Sequence, residues 1–376
     1  MGCFRLWLAL CVVFFHIVPR VTGTLDGRLA VESFYLVSGF FMAMILDTRY
    51  RGLTRAFYIN RFLRIYPLYW LVLFLTLASL FWIYKAGALG GSLLIWFKFI
   101  PHFQFTSVFL LVFSQLFLIG LPWLILGEFR APNGAFHFSI APFAQPLPAY
   151  PFFFIGPAWS LGVEDFFYLF APWIVTLSDT TLICLATLAG SIKGLAGLLY
   201  GLNYEPWSYM FTGFEIFFFV GGVLSYRLYK KLKSNRQIEW WGWKAFSGLL
   251  CVVILGLPFA PMIDSFIWFP LAVLMMLGLP WIFELGNRHP WDRSLGNLSY
   301  PLYLSHQPLL TFLSSPIFEN FPKLALHYSL VPLCLLLAAM LHLGIERPVN
   351  RLRQSLLKSA AKKDGNLQGP PSLEHA

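Results

Sequence analysis

Runs of about twenty apolar residues, separated by short loops dense in arginine or lysine, dominate this sequence. A helix of that length spans the roughly 30 Å hydrocarbon core of a bilayer. Inside that core every backbone polar group must bond within its own segment or to a buried neighbour, which leaves helices as the reading for runs this long. The runs fall at residues 5–19, 31–46, 65–84, 159–177, 182–201, 209–226, 243–262, 266–284, 298–318 and 324–345. Residues 86–127 are also apolar, but Lys98, Pro101, His102 and Pro122 break them. They either cross twice in tight segments or dip in and return. The expected fold is an all-α polytopic membrane bundle of about 10–12 transmembrane segments. Composition agrees, since 12% of residues are charged against about 25% in soluble proteins. No internal repeat is visible, so the inverted-repeat signature of many transporters is missing.

The formal net charge is +10, and its distribution matters more than its size. Arg49, Arg51, Arg55, Arg61 and Arg64 crowd residues 47–64, and Arg227, Lys230, Lys231, Lys233 and Arg236 crowd residues 227–236. Arg288, Arg293, Arg347, Arg351, Arg353 and Lys358 follow the same alternation. Dense basic loops stay in the cytoplasm. The expectation is a multi-pass protein of the cell inner (plasma) membrane with both termini cytoplasmic and no nucleic-acid partner. Residues 128–158, rich in Pro and Phe, then lie outside. Residues 1–353 read as one membrane domain, and residues 354–376 as a polar, disordered tail. Cys3, Cys11, Cys184, Cys251 and Cys334 lie in or beside apolar runs without metal-ligand spacing, so neither a metal site nor a disulfide framework is expected.

Candidate chemistry begins in residues 4–17, FRLWLALCVVFFHI. Arg5 and His16 are eleven residues apart, three turns plus a small remainder, and so lie on one helical stripe about 16 Å apart. A topology anchor or a signal-peptide n-region accounts for Arg5. Neither accounts for His16, an ionisable group inside the membrane. Glu32 opens the second run. It either orients His16 and raises its basicity or sits in headgroup water beside Arg28. Arg61 and Arg64 share one helical face, with forks suited to phosphate; the plainer reading is a headgroup contact. In PAWSLGVEDFFYLFAP, Trp159, Ser160, Glu164 and Asp165 suggest proton handling or a polar acceptor near the outer surface. A helix start capped by Ser160 is the plainer account. His306 falls mid-run in LGNLSYPLYLSHQPLL, where a lone histidine is often structural. No phosphate-binding loop, HExxH, GxSxG or CxxC pattern occurs.

Taken together and in order, these segments resemble the acyltransferase-3 family of integral-membrane acyltransferases, which includes enzymes that O-acetylate bacterial surface and exported glycans. The motifs are Arg5 with His16, VSGFF at residues 37–41, RFLRIYP from Arg61, WSLGVE from Trp159, and LSYPLYLSH from Leu298. The resemblance implies that His16 is the catalytic histidine, with Arg5 its partner on the first span. It implies that Arg61 and Arg64 bind the acyl-CoA donor, and that Trp159 and Glu164 belong to an outer motif. Glu32 stands where the family usually has Asp, Asp165 where a second Glu is common, and Ser305-His306-Gln307 replaces a more aromatic setting.

The activity implied is transfer of an acyl group, acetyl in the first instance, from cytoplasmic acyl-CoA to a hydroxyl of a glycan or lipid-linked sugar at the outer side. His16 acts as general base on that hydroxyl or carries the acyl group itself. Acyl-CoA enters as co-substrate, with no bound cofactor, and membrane lipid is the other partner. The rival reading is a secondary transporter or flippase with an intramembrane His/Glu/Arg relay. A purely structural subunit leaves those charges without a use.

Overall fold

The computed structural model describes residues 1–17, 27–87, 92–234, 265–318 and 323–363. The expected span at 243–262, Cys251, Arg236 and residues 364–376 lie outside the described residues. The chain is a bundle of helices with very little strand. In order these are α1 (Gly2–Ile17), α2 (Gly27–Thr48), α3 (Thr54–Lys85), α4 (Ser92–Phe99), α5 (Phe105–Phe117), α6 (Leu121–Leu124), α7 (Ala158–Ile174), α8 (Asp179–Tyr200), α9 (Thr212–Ser234), α10 (Ser265–Asn287), α11 (Pro290–Gly296), α12 (Ser299–Leu313), α13 (Lys323–Leu341) and α14 (Arg347–Lys363). Among the described residues, five helices are long and apolar enough to cross a membrane: Gly27–Thr48, Thr54–Lys85, Asp179–Tyr200, Phe269–Asn287 and Ser329–Leu356. The all-α membrane bundle is therefore the observed fold class.

Several boundaries differ from the sequence reading, for local reasons. The basic stretch 47–64 is mostly helix, because α3 begins at Thr54 and runs unbroken for 32 residues. Arg55, Arg61 and Arg64 thus stand on a helix. Pro67 sits inside α3. Beside it Tyr300 of α12 donates to the Ile65 carbonyl at 2.8 Å, tying α3 to α12 next to the proline. Similarly, α9 continues to Ser234. Arg227 and Lys231 reach Asp179 at the start of α8 (2.5 and 2.7 Å), and Lys230 reaches Asp47 (2.6 Å).

In the broken region, α4 has 8 residues and α5 has 13, about 12 and 20 Å at the helical rise. Each falls short of the hydrocarbon thickness, a length that suits a segment entering and returning. The segment after them carries a small antiparallel hairpin, β1 (Gly127–Arg130) with β2 (Ala135–Phe138), in register Gly127↔Phe138. Phe129 closes it against Phe103 and Phe152, with ring centroids 4.7 and 5.3 Å away.

The centre of the bundle is the crossing of α2 on α9. A Cβ on Gly39 would lie 2.0 Å from the Phe219 carbonyl oxygen, and one on Gly222 would lie 2.1 Å from that of Leu36. The two backbones touch, as small residues permit between membrane helices. Gly39 belongs to the VSGFF motif, and the contact brings Ser38, on the same turn, into the interior. Gly39→Val is expected to lower stability by about 1–3 kcal/mol through overpacking. A thermal melt in detergent unchanged from wild type would contradict this.

Candidate active site

The site is built along the contact of α1 with α12, and is closed by α2, α3 and α7. The first turn of α1 is held from across the sequence. Asp292 of α11 accepts from the Gly2 N–H (2.5 Å), the Cys3 N–H (2.9 Å) and the terminal ammonium (2.8 Å). These are amides an α-helix leaves without partners. Partial burial pushes the Asp292 carboxyl up, but the Cys3 N–H, the ammonium and the Gly2 N–H outweigh it and hold it at about 2. The stabilisation is complete above the ordinary carboxyl range and fades only as pH falls through about 2, so this clamp on α1 is fully charged near neutrality.

One turn further, Arg5 lines a cavity of about 60 Å³ together with Tyr35, Ser160, Glu164, Tyr300 and Tyr303. That volume takes a few waters or a slender chain, and is too small for a sugar ring. Glu164 accepts from the hydroxyls of Ser38 and Tyr168. The Arg61 guanidinium lies 5.7 Å from the Tyr168 ring centre and 5.9 Å from that of Phe57. Glu164 therefore belongs with Arg5 and Arg61, whereas the sequence reading put it near the outer surface with His16. The reason is depth: Glu164 lies six residues along α7, about 9 Å from its start.

Asp165, the next residue, points about 100° away toward α3. The Tyr66 hydroxyl lies 2.9 Å from its carboxylate and 2.5 Å from the Phe117 carbonyl. Trp159 is buried and packs edge-on against Tyr209 at 5.3 Å. Ser160 is not the helix cap, since α7 starts at Ala158. Its hydroxyl donates to the Pro157 carbonyl (2.8 Å), leaving its oxygen to accept from Tyr303 (2.6 Å).

From Tyr303 the polar track continues to the histidines. His306 is fully buried, its ring 5.9 Å from that of Tyr303 and 5.1 Å from that of His16. Its Nδ1 lies 2.6 Å from the Tyr303 carbonyl, and the Nδ1 of His16 lies 2.8 Å from the Val12 carbonyl. A carbonyl only accepts, so each Nδ1 carries a hydrogen, and in the neutral form of either ring Nε2 is the basic nitrogen. The Nε2 of His306 is buried with no partner among the described residues. Two adjacent imidazoles thus hold the tautomer of a base. Arg5 and His16 both face α12, as their spacing requires.

Glu32 is buried in α2, and its Oε1 lies 2.5 Å from Lys193 Nζ of α8. The same ammonium reaches Glu215 of α9 at 3.0 Å. Neither Lys193 nor Glu215 figured in the sequence reading. The signal was present, because an ionisable residue within an apolar span asks for a partner. Ser38, Tyr168 and Tyr303 carried no such signal; only the packing of four helices reveals them.

The bundle thus carries Arg5 in a small cavity toward one end of α1 and the adjacent His16 and His306 rings at the other. The sequence matches the family described as an acyltransferase domain over residues 1–343. The chain belongs to this acyltransferase-3 family and is a multi-pass membrane acyltransferase. Neither the curated proteins nor the solved structures compared with it gave a match.

Proposed function

We propose that the enzyme moves an acyl group, acetyl in the first instance, from acyl-CoA to a hydroxyl of a glycan or lipid-linked sugar. The observation that carries this is the His16–His306 pair standing at the far end of α1 from the arginines. The CoA phosphates bind at Arg61 and Arg64, at the cytoplasmic face. The acyl-pantetheine arm extends past Arg5, Ser160 and Tyr303 toward His16, about 16 Å along the helix. A slender passage suits such an arm.

His16 Nε2 takes the proton of the acceptor hydroxyl as its oxygen attacks the thioester carbonyl. The new C–O bond forms, the C–S bond breaks, and the departing CoA sulfur recovers the proton from the imidazolium. The Nε2 of His306 accepts a second hydroxyl of the acceptor and orients it. Glu32 acts on this end of the site indirectly, by fixing the start of α2 through Lys193. Glu164, fixed by Ser38 and Tyr168, places a negative charge across the cavity from the Arg5 guanidinium. Trp159 and Asp165 support α7 rather than touch the reacting atoms.

The test uses the purified full chain in nanodiscs, following free thiol released from acetyl-CoA with and without a cell-envelope glycan fraction. Release that depends on the glycan is the expected result. No release with acetyl-, propionyl- or longer acyl-CoA, beside a folded protein, overturns the reading.

A further inference from the structure

We propose that Arg353, on the C-terminal helix α14 and beyond the family match, is a third arginine of the phosphate site. The inference rests on the assignment of Arg61 and Arg64 to the acyl-CoA donor. Helix α14 packs along α3. Arg353 Nη2 donates to Asn60 Oδ1 at 2.7 Å, and Arg61 Nη2 donates to the same oxygen at 3.2 Å. One neutral amide oxygen thereby holds two guanidinium groups side by side. The Nε atoms of both arginines are buried without a partner among the described residues. Arg64, one turn along α3, adds its charge to the same region.

No carboxylate among the described residues forms an ion pair with any of the three. The nearest acid that bears on Arg353, Glu346, is engaged by His342 at 2.8 Å. Cations gathered in a half-buried place, with Glu164 and Glu346 near but in ion-pair contact with none of them, repel one another and lose hydration. Such a cluster is favourable once a multivalent anion enters. Guanidinium forks bind phosphate oxygens in pairs, and both free Nε–H groups supply donors. A lipid phosphodiester brings a single negative charge, less than three arginines neutralise. The diphosphate and phosphomonoester of CoA match them, so the ligand is the nucleotide end of the donor.

The test is a titration of the full chain with coenzyme A in zwitterionic nanodiscs, repeated in nanodiscs containing phosphatidylglycerol. The variants are Arg353→Ala, Arg353→Gln, Arg353→Lys, the exposed neighbour Arg351→Ala, and the double variant Arg61→Ala/Arg64→Ala. Arg353→Gln keeps an amide donor for Asn60 while removing the charge, so it separates binding from packing. The expected result is an affinity loss of about tenfold for Arg353→Ala and Arg353→Gln, partial recovery in Arg353→Lys, and no change in Arg351→Ala. Wild-type affinity in Arg353→Gln beside a loss in the double variant overturns the role of Arg353 and leaves the donor site standing. Wild-type affinity in the double variant removes the donor site, and Arg353 with it. Affinity that changes only through phosphatidylglycerol makes the cluster a lipid site and overturns the proposal.

Discussion

His16→Ala is expected to lower turnover about a thousandfold, the usual span for loss of a positioned general base, while leaving the protein folded in the membrane. The variant should still fold, because His16 is exposed at the end of α1. The loss should fall equally on kcat and kcat/KM, since proton removal is an interaction of the transition state alone. Donor affinity should change little, because the phosphate contacts proposed at Arg61 and Arg64 lie about three helical turns from His16. His306→Gln is the informative companion. It removes an acceptor nitrogen that is buried without a partner among the described residues, and if His306 orients the acceptor its variant raises KM for the acceptor more than it lowers kcat. Transfer by His16→Ala at the wild-type rate would remove the base from this mechanism. A thousandfold loss in both variants with KM unchanged would instead make the two imidazoles a single proton-handling unit.

What the sequence discloses and what it withholds divide along one physical line. Residues related within one helix were legible. Arg5 and His16 share a stripe at eleven-residue spacing, and Arg61 and Arg64 share a face at three. Both relations hold because helical geometry depends on nothing outside the segment. Relations between helices were not legible. His306 reads as a lone histidine until α12 is laid on α1 and its ring meets His16 at 5.1 Å. Glu164 reads as one of two equivalent acids until α2 and α3 pack on different sides of α7, sending Glu164 to Ser38 and Asp165 to Tyr66. Helix ends were the least legible of all. Apolar length locates the hydrocarbon, whereas α3 and α9 extend past it into basic residues that continue the helix in water.

Lys193→Met is expected to produce the largest loss of stability, about 3–5 kcal/mol, the cost of leaving buried carboxylates without their cation. Lys193 ties α8 to α2 through Glu32 and to α9 through Glu215. Glu215 is wholly buried and Glu32 nearly so. Its ammonium also lies 4.8 Å from the ring centre of Phe218, so the charge is lodged in aromatic and carboxylate surroundings that a methionine cannot replace. Removing the cation leaves the wholly buried Glu215 carboxylate close to that of Glu32 in a medium that solvates it poorly. The triple variant Lys193→Met/Glu32→Gln/Glu215→Gln removes all three charges and should recover most of the lost melting temperature, because the penalty lies in the uncompensated charge rather than in the missing contact. The comparison also isolates what Glu32 does for the reaction. If it serves His16 only by fixing α2, the triple variant regains activity along with its fold. If its carboxylate acts on the imidazole, the triple variant folds and stays slow, and Glu32→Gln alone is slow as well. A Lys193→Met protein that melts with wild type would show that α2, α8 and α9 are held by packing, as at Gly39 and Gly222 between α2 and α9, with the charges contributing nothing measurable.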